Sequence, residues 1–172
     1  IRCFAIVKNG QATLYARSGK IISNFDSTIG RELGSLGDGC YDGEIMGEDF
    51  TALMRQAYRK ESVDTSGTYF GIFDYLPLHE WQSKNASLTC FERYNHLIKK
   101  LTALSPDAYD TGTQPILIWN HLKLVERCYI SAEASLIKSY HDKYVQQGYE
   151  GAMIKDMSAT YKFGRGWEIM CP

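Results

Sequence analysis

Apolar and polar positions alternate through residues 3–8 (CFAIVK) and 12–16 (ATLYA), two β-type runs on either side of Asn9-Gly10. That pair predicts a tight hairpin, because both residues tolerate positive φ. Ser18-Gly19 breaks the pattern, and Ile21-Ile22 suggests a third short strand. A helix is expected from Phe25 to Leu36, capped by Asp26 or Ser27 and closed at Gly37. Residues 40–46 (CYDGEIM) read as a strand, 50–59 as a short helix, and 68–76 (TYFGIFDYL), after the Ser66-Gly67 turn, as another strand.

Farther along, Phe91, Tyr94, Leu97, Ile98, Leu101 and Leu104 recur at intervals of three and four, which makes residues 88–104 an amphipathic helix. A polar loop from Pro106 to Pro115 leads into β-type residues 116–119 and 122–130. A second helix is expected from Ser131, within a cap-like Ser-Ala-Glu-Ala, to Gln147, with Gly148 as its stop. Residues 151–155 (GAMIK) form the last apolar strand, and 161–172 a basic, aromatic tail. Mixed strands and helices, without repeat or linker, predict an α+β domain with a largely antiparallel sheet.

Composition narrows the function. The chain has 172 residues, a net charge of -1 and 44% hydrophobic residues, enough for a sizeable core in one domain. Near-zero charge excludes a polycationic nucleic-acid coat but leaves room for a local basic groove. Cys3, Cys40, Cys90, Cys128 and Cys171 are scattered without a C-x-x-C pair, and His79, His96, His121 and His141 lack metal-ligand spacing. A zinc site or disulfide framework is not indicated, and a reducing, cytoplasmic setting is expected. No apolar run has the length a bilayer requires, so no membrane partner is expected. The first residues, Ile1-Arg2-Cys3-Phe4, carry neither a signal pattern nor an initiator Met, and the chain is expected to begin inside a longer gene product.

Three strings are chemically unusual. Asp42-Gly43-Glu44 sets two carboxylates in an apolar strand, where burial is costly unless a cation or hydroxyl meets them; a strand-end turn is the plainer alternative. Glu150-Gly151-Ala152-Met153-Ile154-Lys155 brackets an apolar strand with an acid and a base. The acid suits a divalent cation and the lysine a phosphate, although a solvated strand end has the same pattern. Tyr161-Lys162-Phe163-Gly164-Arg165-Gly166-Trp167 interleaves cations, aromatics and glycines as a phosphate-touching loop does, or as a plain surface loop does. Arg17-Ser18-Gly19-Lys20 adds two cations at a turn, with neither Walker nor G-x-G-x-x-G spacing.

Taken in order, Arg2, Arg17, D-G-E, Ile72-Phe73-Asp74, the helix beginning Phe91-Glu92-Arg93, E-G-A-M-I-K and Tyr161-Lys162-Phe163-Gly164-Arg165 resemble the covalent nucleotidyltransferase superfamily. Within it the likeness, spanning Arg2 to Pro172, is to the adenylation domain of small viral or phage ATP-dependent DNA ligases. The resemblance implies an α+β nucleotidyltransferase (ATP-grasp-like) fold and nick sealing through a lysyl-AMP and a DNA-adenylate, with ATP and Mg²⁺ as cofactors. It implies nicked duplex DNA as partner, a monomer, and work in DNA replication, repair or recombination in the cytosol. Arg2, Arg17, Glu44, Phe73, Lys155 and Arg165 would bind nucleotide, Glu44 at the ribose, Phe73 on adenine and Lys155 at the α-phosphate. Glu150 would support the metal, and Arg17, Lys20, Lys162 and Arg165 would contact DNA.

The chain departs from that pattern in three ways. The attacking lysine of the family's first motif would lie five residues before Arg2, upstream of the chain, so no catalytic nucleophile is assigned within it. The closing motif's lysines are replaced by Ile169 and Cys171, with Glu168 beside them. Residues 1–172 read as an adenylation domain lacking its N-terminal segment, with no C-terminal OB-type domain. The alternatives are an RNA ligase, an mRNA-capping nucleotidyltransferase, or an inactive nucleotide- or nick-binding module.

Overall fold

In the computed structural model, which describes residues 1–60, 62–104, 120–164 and 169–171, five strands form one sheet and two more a small second sheet. Strands β1 (Arg2–Lys8) and β2 (Gln11–Ala16) make the expected hairpin, with Asn9 at φ 52° and Gly10 at φ 75°. These are the left-handed conformations that a two-residue turn of this twist requires. The sheet continues with β3 (Gly39–Met46) and β4 (Tyr69–Leu76), both antiparallel, and ends in β5 (Leu122–Leu124), parallel to β4. It is thus the mostly antiparallel α+β architecture that the pattern predicts.

One face of this sheet is apolar and carries the core. Cys3, Ala5 and Val7 of β1 and Tyr41 and Ile45 of β3 pack there with Ile29, Leu33, Leu53, Leu97 and Leu101 from the helices. Ile29 comes from the π-helical turn Asp26–Gly30 and the others from α1 (Arg31–Ser35), α2 (Phe50–Tyr58) and α4 (Cys90–Leu104). The alternate positions of β1, beginning with Arg2 and Phe4, lie on the opposite face, because strand side chains alternate.

Several local expectations are corrected. The helix predicted from Phe25 opens as a π-helical turn, Asp26–Gly30, without a side-chain cap from Asp26 or Ser27. Gly30 N–H bonds Phe25 O at 2.9 Å, and Gly37 closes the segment at φ 86°. Ile21 forms a single bridge to Tyr15 rather than a strand. A short helix, α3 (Leu78–Ser83), follows Pro77 where none was expected. Of the strand foreseen at 122–130 only Leu122–Leu124 pairs, since its partner β4 leaves regular register just beyond Ile72. The second helix, α5 (Ala134–Gln146), is capped at Glu133 with no side-chain bond to its N–H groups, and it stops before Gly148 at φ 91°. The tail holds a strand: β7 (Ile169–Cys171) pairs antiparallel with β6 (Ala152–Ile154). Residues 105–119, which include the predicted loop and strand, lie outside the described residues. Among the described residues no helix is long and apolar enough to cross a membrane.

The D-G-E string lies mid-strand in β3, not in a turn. A Cβ on Gly43 would collide with the Gly71 carbonyl oxygen and come within 2.7 Å of Phe70 Cζ. Gly43→Ala is therefore expected to destabilise the domain by at least about 1–3 kcal/mol, since a neighbouring strand cannot yield as a flexible side chain can. Thermal or urea unfolding checks this, and an unchanged midpoint would mean that the strands separate at no cost.

Candidate functional site

A bulge in β4 builds the polar face of the sheet. Asp42 pairs with Asp74 but Gly43 pairs with Ile72, leaving Phe73 as an extra residue in β4. An extra residue re-aims its neighbours, so consecutive positions can meet the same side of a sheet. Here both Phe73 and Asp74 reach the face carrying Arg2: the Arg2 guanidinium lies 4.8 Å from the Phe73 ring centroid. Arg127 donates to the Phe73 carbonyl oxygen and stacks on Tyr94 of α4, 4.2 Å from guanidinium to ring. The bulge is therefore anchored rather than frayed.

Two carboxylates on this face are nearly inaccessible. Asp42 accepts from Arg2 Nη2 at 2.7 Å and from the Tyr161 hydroxyl at 3.2 Å. Burial pushes its pKa up to about 6, against the opposing pull of Arg2 and Lys155. Its Oδ1 is buried with no hydrogen-bond partner among the described residues. Asp74 accepts a two-pronged grip from Arg93, Nε to Oδ1 at 2.8 Å and Nη2 to Oδ2 at 3.0 Å, and Lys155 Nζ lies 3.5 Å from Oδ2. Burial opposes the Asp74 carboxylate, yet the Arg93 hydrogen bonds and the Lys155 and Arg93 charges hold its pKa below the ordinary range. Burial, with Asp42 nearby, pushes the Tyr161 hydroxyl up, and it raises the thiols of Cys3 and Cys40 too, leaving them unreactive.

The structure thus gathers Arg2, Phe73 and Lys155 of the predicted site residues around Asp42 and Asp74. Glu44 is the cross-strand neighbour of Arg2, and its carboxylate lies 3.2 Å from the Ile1 amino group. Arg17 directly follows Ala16, the partner of Cys3, so it leaves the sheet at the same end as Arg2, with an exposed side chain. Lys20 turns toward α2, its Nζ 5.2 Å from the Tyr58 ring. Lys162 is exposed between Tyr161 and Phe163, whose rings touch edge to face; Phe163 also packs on Trp81, over which Lys84 sits at 3.6 Å. Arg165 lies outside the described residues, and of Ile169 and Cys171 only the strand backbone is described.

Glu150 is exposed just before β6 and joins no described carboxylate. Among the described residues no three His, Cys, Asp or Glu side chains assemble as a metal cluster.

Asp42, Asp74, Arg93 and Tyr161 were not assigned as site residues from the sequence, although all lie in the strings that carry the family resemblance. Arg93 carried the clearest signal. It occupies the buried stripe of α4 with Cys90, Tyr94, Leu97 and Leu101, where a cation requires a partner.

The mixed α+β fold with its mostly antiparallel five-stranded sheet matches that of the nucleotidyltransferase domain in solved DNA ligase structures. Among solved structures the chain is similar to "Pmar-Lig_PreS3", with a TM-score of 0.81 and 24% identity, covering 99% of this chain and 40% of that one. It is similar also to the ATP-dependent DNA ligase from bacteriophage T7 in complex with ATP, with a TM-score of 0.65, 18% identity, and coverage of 99% and 59%. The Chlorella virus DNA ligase-adenylate gives a TM-score of 0.60 and 20% identity, over 95% of this chain and 56% of that one. The chain therefore spans about two-fifths to three-fifths of the length of these structures. No family profile and no curated protein sequence matches it.

The raised Asp42 fixes a sign for pH dependence. Its contribution to stability is fully present below the ordinary carboxylate pKa, near 3.8, and is lost as pH rises through about 6. Relative to Asp42→Asn, the native protein is expected to lose roughly 2 kcal/mol between pH 4 and pH 7. Melting temperatures of the two proteins across that range check this; a constant difference would show that Asp42 titrates normally.

Proposed function

We propose that this chain is the adenylation core of an ATP-dependent DNA ligase that seals nicks in duplex DNA. The observation that carries the reading is the convergence of Arg2, Glu44, Phe73 and Lys155 on one sheet face of a ligase-type fold. The half-buried Phe73 ring, backed by Arg2, offers a flat apolar surface to an adenine. Glu44 accepts from ribose hydroxyls, and Arg2 and Lys155 oppose charge on the phosphates. Exposed Arg17 and Lys162, and Arg165 beyond Gly164, track the DNA backbone near the nick, and Lys20 adds charge at the same turn.

The chemistry proposed is three displacements at phosphorus. A lysine amine, which the family's first motif sets five positions before its arginine, attacks the α-phosphorus of ATP; its N–P bond forms, the bond to the β-phosphate breaks, and pyrophosphate and a proton leave. The nick's 5′-phosphate then takes the AMP, breaking the N–P bond. Finally the 3′-hydroxyl attacks that 5′-phosphate and AMP departs. In each step the protein's task is alignment and charge neutralisation. Mg²⁺, supported by Glu150, would shield the triphosphate. The chain's own cations orient the phosphates, and Phe73 sets the depth of the base.

Intact-protein mass after incubation with ATP and Mg²⁺ tests the reading, comparing residues 1–172 with the same residues carrying the family motif's Lys-x-Asp-Gly directly before Ile1. An AMP adduct on the extended chain alone is expected. Absence of an adduct on both would favour an inactive binding module, and an adduct on the short chain would place the nucleophile elsewhere. Sealing of nicked RNA in preference to nicked DNA, or adduct formation from GTP, would redirect the assignment to an RNA ligase or a capping enzyme.

Calorimetry of ATP binding checks the pocket separately. Phe73→Ala is expected to weaken affinity by about 1–3 kcal/mol through lost stacking. Glu44→Ala should weaken it as well. Unchanged affinity in both variants would give Phe73 and Glu44 purely structural roles.

A further inference from the structure

Arg93 is almost fully enclosed, its side chain 4% exposed, and it makes more directed contacts than any single anchor requires. Nε and Nη2 hold both oxygens of Asp74 on β4. Nη1 donates to Leu88 O at 2.8 Å, in the connection leading to α4, and to Ala159 O at 3.3 Å, in the segment between β6 and Tyr161. Its guanidinium also lies 5.6 Å from the Tyr161 ring. The backbone repeats this stitching: Cys90 N–H bonds Ala159 O at 2.8 Å, Phe91 N–H bonds Met157 O at 3.0 Å, and Thr89 bridges Thr160.

We propose that Arg93 is a positioning residue for the nucleotide pocket, locking the β4 bulge that presents Phe73 to the 156–161 segment that links Lys155 and Tyr161. It rests on the nucleotide-binding reading above. The planar guanidinium is what this task needs, since a fixed fork can grip one carboxylate with two donors and direct a third at a carbonyl. An ammonium group cannot hold all three partners in fixed directions. Asp74, already gripped by Arg93, then faces Lys155 with its charge partly neutralised. In this way Arg93 governs how the pocket's two walls meet without touching the nucleotide.

The test uses Arg93→Lys and two readouts on the whole chain. The first is amide hydrogen exchange, which needs no ligand. Exchange at residues 157–161 is expected to quicken at least about 10-fold while the β1–β2 hairpin keeps its native rates. The second is ATP affinity by calorimetry, expected to fall about 10-fold at a temperature where native protein and variant are both fully folded. Uniformly faster exchange, or unaltered exchange at 157–161, would overturn the lock. Native ATP affinity alongside weakened binding by Phe73→Ala would overturn the positioning role. If Phe73→Ala and Glu44→Ala both bind ATP normally, the pocket reading fails, and the exchange result still decides whether Arg93 joins the two segments. Should Arg93→Lys fail to fold, the double variant Asp74→Asn with Arg93→Gln avoids an unpaired buried charge, and its shorter amide cannot span to Ala159 O. The same acceleration at 157–161 is expected there, and native exchange would overturn the proposal.

Discussion

One extra residue in a strand governs this molecule. The register of β3 and β4 slips between Asp42 and Gly43, and Phe73 is the residue left over. In a regular strand Phe73 and Asp74 would face opposite sides, the aromatic on one and the acid on the other. The slip delivers both to the face that Arg2 occupies, so an apolar platform and a gripped carboxylate stand side by side. A bulge is weak in itself because its backbone loses ladder bonds, and here the loss is made good from outside: Arg127 takes the Phe73 carbonyl and Arg93 takes Asp74. Both arginines depend on α4, which carries Arg93 and offers Tyr94 as the surface for Arg127. The same slip ends the ladder to β5, which accounts for that strand being only three residues long.

Much of this was legible in the sequence. The hairpin at Asn9-Gly10, the β3 and β4 strands and the amphipathic α4 follow from periodicity and turn chemistry, which depend only on neighbours along the chain. The order of Arg2, D-G-E, Phe73 and the E-G-A-M-I-K string carries the resemblance to ligases whose fold the chain shares. What was not legible is non-local. A bulge leaves no mark in hydrophobic periodicity, since F-D reads as ordinary alternation in either register. The π turn at Asp26–Gly30 and the pairing of β7 with β6 are likewise decided by tertiary contacts, and in the tail a basic, aromatic composition masked three residues able to pair.

The site residues divide along the same line. Those assigned from the sequence stand out as unusual residue types in apolar strings. Those it passed over, namely Asp42, Asp74, Arg93 and Tyr161, are the partners that hold them and one another. Their placement follows from the cost of burying charge. An isolated carboxylate on a closed sheet face is prohibitive, whereas one held by a guanidinium fork and a backbone N–H is tolerable. Removing one member of such a pair typically costs about 3–5 kcal/mol, so Arg93 and Asp74 constrain each other's substitution far more than surface charges do.

Charge arithmetic on this face then limits how a polyanion can be bound. Arg2, Arg93 and Lys155 stand against Asp42, Asp74 and Glu44, with Asp42 close to half-protonated near pH 6. The network is therefore near neutrality and, on the proposed function, has little surplus positive charge to offer a triphosphate. Its buried members, Asp42, Asp74 and Arg93, fix where Arg2, Phe73 and Lys155 lie. On the same reading the attraction comes from exposed cations such as Arg17 and Lys162 and from any divalent ion that a ligand brings. Such exposed charges are screened by salt, whereas the buried Arg93–Asp74 pair is screened much less. A pocket built this way separates its two tasks physically, with shape held by buried pairs that respond weakly to ionic strength and affinity held by surface charges that respond strongly. Ligand affinity should then fall with salt while the arrangement of Phe73 and Lys155 stays fixed, because the pair that sets that arrangement is buried between β4 and α4.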